Sequence, residues 1–376
     1  MKVLHVISSG GMYGAEAVIL NLTHAMREAG HESVLGVFSN SAQPNLQFYE
    51  RAVSDGLAAN LISCKGQVDP SVPAAIRALV KANAADVVHA HGYKADLYVA
   101  TAMRGLPTPL VSTCHTWYDN DLRVRLYGAL DRWVLRRFSG VVAVSQNVVA
   151  RLLGAGVRKD RVHLIRNGID LRPFEAAHSD ATGSASGASL AVGLVGRLAP
   201  EKGVDLFLRA AARVLVELPQ TRFFVVGDGP DRASLAALIE ELKIGGEVSL
   251  LGHKEDMPAF YASLDLLVSS SRQEGLPIAL LEGMASSLPV IATAVGAVPT
   301  VIDQDRTGVL VDAEDVDALA AAMLSLLKDA PRRARLGSAA HALIKQEYSA
   351  TRMTADYLEL YRRVLQQPPW EALARA

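Results

Sequence analysis

LAVGLVGRLAPEKG, residues 190–203, is the stretch whose reading decides the fold. Residues 190–195 form a short apolar run, which reads as a strand buried on both faces. It runs into Gly196-Arg197, and Leu198-Ala199-Pro200-Glu201-Lys202-Gly203 leads into a helical stretch. A buried strand that turns through glycine into a helix is the repeating piece of a doubly wound parallel sheet.

The chain opens in the same way. MKVLHVISSGG, residues 1–11, carries an apolar run of about seven residues that ends in glycine, so it reads as a buried first strand and not as a leader. Between these two starts, short β-branched runs near 34–38, 86–89, 110–113 and 141–144 alternate with helical stretches near 15–29, 72–83 and 122–138. After the second start, runs near 222–226, 248–251, 266–268, 290–293 and 309–311 alternate with helices in the same manner. The end of the chain is helical, near 316–328, 331–347 and 354–366. The expected fold is therefore α/β, with two Rossmann-like doubly wound domains facing a central cleft.

Bulk numbers agree. A chain of 376 residues is long enough for two domains, and half of its residues are hydrophobic, enough for two cores. HSDATGSASGAS, residues 178–189, is small, polar and flexible, and reads as a linker or loop beside the boundary. The expected division is 1–177 and 190–353. A net charge of −1 gives no global reason to expect nucleic acid. Two cysteines, Cys64 and Cys114, imply no disulfide framework and suit a reducing, cytoplasmic setting. No run of about 18 apolar residues exists, so any meeting with a membrane is expected at its surface.

Ligands of open parallel sheets sit at the carboxyl ends of the strands. After the first strand come Gly10, Gly11 and Gly14, a glycine turn that bares backbone N–H groups and a positive helix end to an anion. Their spacing is not the dinucleotide fingerprint GxGxxG, and no acidic residue ends the second strand, so a nicotinamide cofactor is not expected. Arg197 and Lys202 bracket the loop of the opening stretch. Two cations there can neutralise a departing nucleotide diphosphate without a metal. Ser269-Ser270-Ser271-Arg272-Gln273-Glu274-Gly275-Leu276-Pro277 follows another strand, with Glu282 eight residues beyond Glu274. Pro277 suits the first turn of a helix. Helical throughout, that spacing rises about 12 Å, enough to put one carboxylate by a donor sugar and the other by a ribose diol. The amides of Gly275 and Leu276 then fall near the phosphates.

Together these residues resemble the retaining nucleotide-sugar glycosyltransferases of the GT-B fold, glycosyltransferase family 4, over essentially the whole chain. The resemblance rests on Gly10, Gly11, Gly14 and Glu16, the His115 loop, Ser145, and Asn167-Gly168-Ile169-Asp170. GRLAPEKG (196–203), VGDGP (226–230), LLGH (250–253) and the pair Glu274 and Glu282 complete it. It implies that Arg197 and Lys202 hold the diphosphate, that Glu274 meets the donor sugar's hydroxyls, and that Glu282 bonds the ribose. It places His115 near the donor sugar, offers the Gly11 amide to phosphate or sugar, and sets Gly252-His253 at the base. It also implies that the last helix, 354–376, crosses back onto the first domain. The function expected is sugar transfer from a nucleotide diphosphate sugar, UDP before GDP, to a glycan or lipid-linked acceptor, with no cofactor. A nucleotide-sugar epimerase or hydrolase, or a non-catalytic nucleotide-sugar binder, are the alternatives.

Three Asp-x-Asp triplets, at 119–121, 303–305 and 315–317, read as chance, turn and cap residues rather than as metal ligands. His89 and His91 face one way along a strand as zinc ligands do, but no third ligand of suitable spacing stands nearby in sequence, and an acceptor-side place for His91 is the alternative. Residues 121–138 carry Arg123, Arg125, Arg132, Arg136 and Arg137 among Tyr127, Trp133 and leucines. They read as a core-packed helix with a basic outer face, or as a surface for anionic lipid.

Overall fold

A computed structural model of the chain describes residues 1–8, 11, 14–40, 45–66, 69–114, 134–181 and 189–367. It divides into two compact units, Met1–Gly168 with Ala350–Ala376, and Ile169–Ser349.

The first unit is built on a seven-stranded parallel sheet in the order β3-β2-β1-β4-β5-β6-β7. The strands are β1 (Lys2–Ile7), β2 (Glu32–Asn40), β3 (Ala58–Cys64), β4 (Val87–His91), β5 (Leu110–Cys114), β6 (Gly140–Ala143) and β7 (Val162–Leu164). Helices α1 (Gly14–Glu28), α2 (Gln47–Ser54), α3 (Val72–Asn83), α4 (Tyr93–Ala102) and α5 (Gln146–Gly154) lie between them in sequence. The inner strands β4, β5 and β6 are buried at every residue. Burial on both faces leaves β5 and β6 as apolar or small runs, and β4 likewise except at His89 and His91. The edge strands β3 and β7 are half-exposed and lack that mark, and neither is expected from the sequence.

The second unit has a six-stranded parallel sheet in the order β10-β9-β8-β11-β12-β13. Its strands are β8 (Ala191–Val195), β9 (Arg222–Val226), β10 (Val248–Gly252), β11 (Leu266–Ser269), β12 (Val290–Thr293) and β13 (Val309–Val311). The helices are α6 (Arg172–Ala181), α7 (Val204–Glu217), α8 (Arg232–Leu242), α9 (Met257–Ala262), α10 (Ile278–Ala285), α11 (Val316–Leu327) and α12 (Ala330–Glu347). The chain then returns to the first unit as α13 (Ala350–Leu365), which packs beside α1. In both sheets the strand order changes direction once, between β1 and β4 and between β8 and β11. Such a switch point opens a crevice outside the carboxyl ends of the two strands.

The boundary differs from the expected one. It falls at Gly168/Ile169, not at 177 or in 178–189. The Ile169 amide donates to the Tyr348 carbonyl at 2.9 Å, and Phe174 on α6 packs on Tyr261 with ring centroids 6.0 Å apart. Residues from Ile169 onward are thus held by the second unit's core before the polar stretch begins. Residues 178–181 finish α6, and 182–188 lie outside the described residues. The last helix begins at Ala350, four residues before the expected start, and 368–376 are likewise outside the described residues.

Candidate functional site

Two loops meet at the switch point of the second sheet. The first follows β8: Gly196 and Arg197, then a single 3-10 turn, Pro200–Lys202, then Gly203 and α7. Gly203 has φ +59°, and a Cβ on it would collide with the Ser270 carbonyl, so only glycine fits this join. The second loop follows β11. The Ser270 hydroxyl donates to the Gly203 carbonyl at 2.7 Å, and the Arg272 amide donates to the Glu201 carbonyl at 2.8 Å.

Arg272 clamps the two loops. Its guanidinium grips the Asp205 carboxylate at 2.7 and 2.9 Å, the Glu314 carboxylate at 2.5 Å and the Pro200 carbonyl at 2.9 Å. Bidentate bonding of this kind fixes geometry as well as charge. The hydrogen bonds from Arg272 hold the Asp205 carboxyl below its ordinary range. Nothing in the sequence marks Arg272 for this role, because its partners lie 67 and 42 residues away.

The clamp delivers Glu274 to Lys202. The Lys202 ammonium donates to Glu274 Oε1 at 2.5 Å, and the Ser271 hydroxyl donates to the same oxygen at 2.7 Å. The Glu274 side chain is 8% exposed and that of Lys202 25%. Behind them Gly296, at φ +57°, lies so close that a Cβ would collide with the Glu274 carbonyl. The Ala297 amide donates to the Gly275 carbonyl at 3.0 Å. Arg197 is exposed; its carbonyl accepts from the Ala199 amide at 3.0 Å, and its guanidinium has no hydrogen-bond partner among the described residues.

Pro277 is the cap before α10, one residue outside the helix, so Glu274 lies in the loop before it and Glu282 within it. Glu282 accepts a 2.9 Å hydrogen bond from the phenol of Tyr261 on α9. Burial pushes the Glu282 carboxyl up to about 7, with the Tyr261 bond opposing. Tyr261 is wholly buried, and that burial, with the Glu282 carboxylate beside it, raises its hydroxyl far above the usual range. Tyr261 lies on a helix of six residues and carried no signal in the sequence.

Gly252 ends the edge strand β10, and its carbonyl accepts from the Gly227 amide at 2.8 Å. His253 follows it, exposed. The second unit therefore gathers Gly196, Arg197, Lys202, Gly252, His253, Glu274, Gly275 and Leu276 at the carboxyl ends of β8, β9, β10 and β11, with Glu282 on the helix behind.

In the first unit Gly11 is buried in the bend after β1. Gly10 and His115 lie outside the described residues, as do Asp119–Asp121 and the basic segment through Trp133. Of that segment's far end, Val134, Leu135 and Phe138 are buried, while exposed Arg136 donates to the Ala155 carbonyl at 3.1 Å. The other acidic triplets have structural partners. Asp303 pairs with Arg306 at 2.5 Å and Asp305 with Arg332. Asp315 caps α11 through the Ala318 amide at 2.8 Å, and Asp317 pairs with Arg213.

The expectation of no third ligand beside His89 and His91 is corrected. β1 runs next to β4 with His5 opposite His89, which brings a third imidazole onto the same face. All three rings are buried.

Two doubly wound parallel sheets, one bearing a lysine–carboxylate pair at its switch point, define a transferase of the GT-B fold. The chain belongs to the glycosyltransferases of family 4. Residues 12–172 match the model for Glycosyltransferase Family 4, and residues 185–342 match the model for Glycosyl transferases group 1. It is 24% identical over 374 residues to N-acetyl-alpha-D-glucosaminyl L-malate synthase of Bacillus anthracis, covering 96% of this chain and 95% of that protein. It is 33% identical over 278 residues to D-inositol 3-phosphate glycosyltransferase of a Mycobacterium species, covering 68% of this chain and 62% of the relative. Among solved structures, Anabaena HepE in complex with UDP superposes with a TM-score of 0.83 at 23% identity, covering 96% of this chain and all of HepE. HepE in complex with UDP-glucose superposes with a TM-score of 0.81. Among the described residues, no helix is long and apolar enough to cross a membrane.

Proposed function

We propose that this protein transfers a sugar from a nucleotide diphosphate sugar, a UDP-sugar before a GDP-sugar, to a glycan or lipid-linked acceptor. The transfer retains the anomeric configuration and needs no metal ion. The observation that carries this reading is the pairing of Lys202 with Glu274 at 2.5 Å on the second sheet's switch point, beside the exposed guanidinium of Arg197. Leaving-group charge on the diphosphate is offset there by Lys202, by Arg197 and by backbone amides. Glu274, already bonded to a lysine and a serine, suits sugar hydroxyls better than a cation. Glu282 and Tyr261 present a carboxyl group to a ribose diol. HepE, crystallised with UDP and with UDP-glucose, supports the donor class.

The reaction belongs in the cytoplasm, with the acceptor presented as a glycan or a lipid-linked intermediate. No nucleic acid and no cofactor takes part. The test is release of nucleotide diphosphate from a panel of UDP- and GDP-sugars, with and without extracts of lipid-linked acceptor. Acceptor-dependent release of UDP, and a product whose anomeric proton keeps the donor's configuration by NMR, are expected. Release that ignores the acceptor marks a hydrolase, and an inverted product overturns the roles given to Glu274 and His115.

A further inference from the structure

Sugar transfer at the second unit leaves the three buried imidazoles of the first unit unused. His5 on β1 and His89 and His91 on β4 share one face of the sheet. One nitrogen from each ring lies within 4.8 Å of the other two. His5 Nδ1 and His91 Nε2 are 3.1 Å apart. Two nitrogens on one tetrahedral zinc, with bonds near 2.0–2.1 Å, sit about 3.3 Å apart. We propose that His5, His89 and His91 form a structural site for a zinc-class divalent ion, which ties β1 and β4 beneath α13.

The surroundings are those of a ligand shell. His89 Nδ1 lies 2.7 Å from the Tyr361 hydroxyl and Nε2 lies 2.7 Å from the Thr113 hydroxyl, which in turn lies 2.9 Å from the Tyr357 hydroxyl. Metal-bound histidine donates its second ring N–H to an oxygen that fixes the ring. Ligation through His89 Nε2 exchanges the Thr113 bond and keeps Nδ1–H on Tyr361. A layer held by hydrogen bonds alone accounts for His89 and for the His5–His91 contact without an ion, and metal content separates the two. Imidazole nitrogens select zinc, copper, nickel and iron over magnesium and calcium. Lys202 and Glu274 belong to the second unit, and no step of the transfer is assigned to this ion.

Because the site is buried, the ion enters during folding, and the test is run that way. Untagged full-length protein is produced with zinc in the medium, refolded in parallel with zinc or with chelator, and passed over a chelating column. Metal per chain is read by mass spectrometry, and cobalt refolding is read by its visible absorption. About one zinc per chain is expected, with cobalt absorption of a site of low coordination number and a higher unfolding temperature for the zinc-refolded sample. His5→Gln and, separately, His91→Gln should each lose the metal while keeping the parent's far-ultraviolet circular dichroism. A parent that refolds but holds no metal overturns the proposal and leaves a hydrogen-bonded layer. Equal metal content in the folded variants overturns it too. If one variant fails to fold, the other and the parent's zinc-dependent unfolding temperature still decide.

Discussion

Replacing Glu282 by Gln should invert part of the protein's response to pH. Burial moves the Glu282 carboxyl from an ordinary 4.5 up to about 7, against the pull of Tyr261. The folded protein therefore holds this proton through a window in which the unfolded chain releases it. Below about pH 4.5 both states are protonated and the group costs nothing. As pH climbs to 7 the unfolded state ionises freely, and the folded state loses stability relative to it. Above 7 the full cost is present. The rise from 4.5 to about 7, at 1.36 kcal/mol for each tenfold change in proton affinity, makes that cost about 3 kcal/mol. Gln keeps an oxygen for the Tyr261 hydroxyl and carries no charge. Glu282→Gln should then match the parent near pH 4 and exceed it at pH 8 by up to about 3 kcal/mol, less the desolvation of one amide. Urea titrations of parent and variant at matched pH measure the difference directly. A difference that stays constant across that range refutes the reasoning. The same carboxylate should couple to the donor: ribose hydroxyls favour its ionised form, so binding of UDP near pH 6 should release a proton, seen by calorimetry in buffers of unequal ionisation enthalpy. Glu282→Gln should abolish that release.

Lys202→Ala should slow turnover by roughly 10- to 150-fold, one charge-assisted bond's worth, while costing about 1–2 kcal/mol in stability because Glu274 loses its partner. Turnover within about twofold of the parent removes Lys202 from the site. Gly296→Ala should destabilise by about 2–4 kcal/mol through its positive φ and the collision with the Glu274 carbonyl; an unchanged unfolding midpoint contradicts that packing. Initial rates should survive excess EDTA over minutes if, as proposed, Arg197 and Lys202 take the place of a divalent ion. Rates abolished by chelation and restored by manganese would return the acidic triplets to consideration.

What could be read in advance follows burial. All six strands of the second sheet are legible as short apolar runs, the partly exposed edge strand β10 included, whereas β3 has exposed positions that break its run and β7 is only three residues long. The domain boundary was misplaced for a related reason. The polar stretch after 177 draws attention by composition, while the crossing at Gly168/Ile169 is set by a backbone bond to Tyr348 that no local pattern announces. Within the site, glycines, cations and the two glutamates stood out because each departs from its neighbours in kind. Arg272, Tyr261 and His5 did not, since what matters about each is a partner brought close by topology: Asp205, Glu282 and His91.

The glycine contacts at the second sheet's rim bear on how such a protein can change its substrate. A methyl group on Gly203 would meet the Ser270 carbonyl, on Gly227 the Gly196 carbonyl, on Gly229 the Leu198 carbonyl and on Gly296 the Glu274 carbonyl. Four main-chain segments are thus nested with no room for a side chain between them. Variation at this rim is confined to side chains that project from it, Arg197 and His253 being exposed and Leu276 partly so. A library that leaves the nested glycines alone and randomises those three positions samples new donors on an unaltered scaffold, whereas randomising the whole loops would yield mainly unfolded protein.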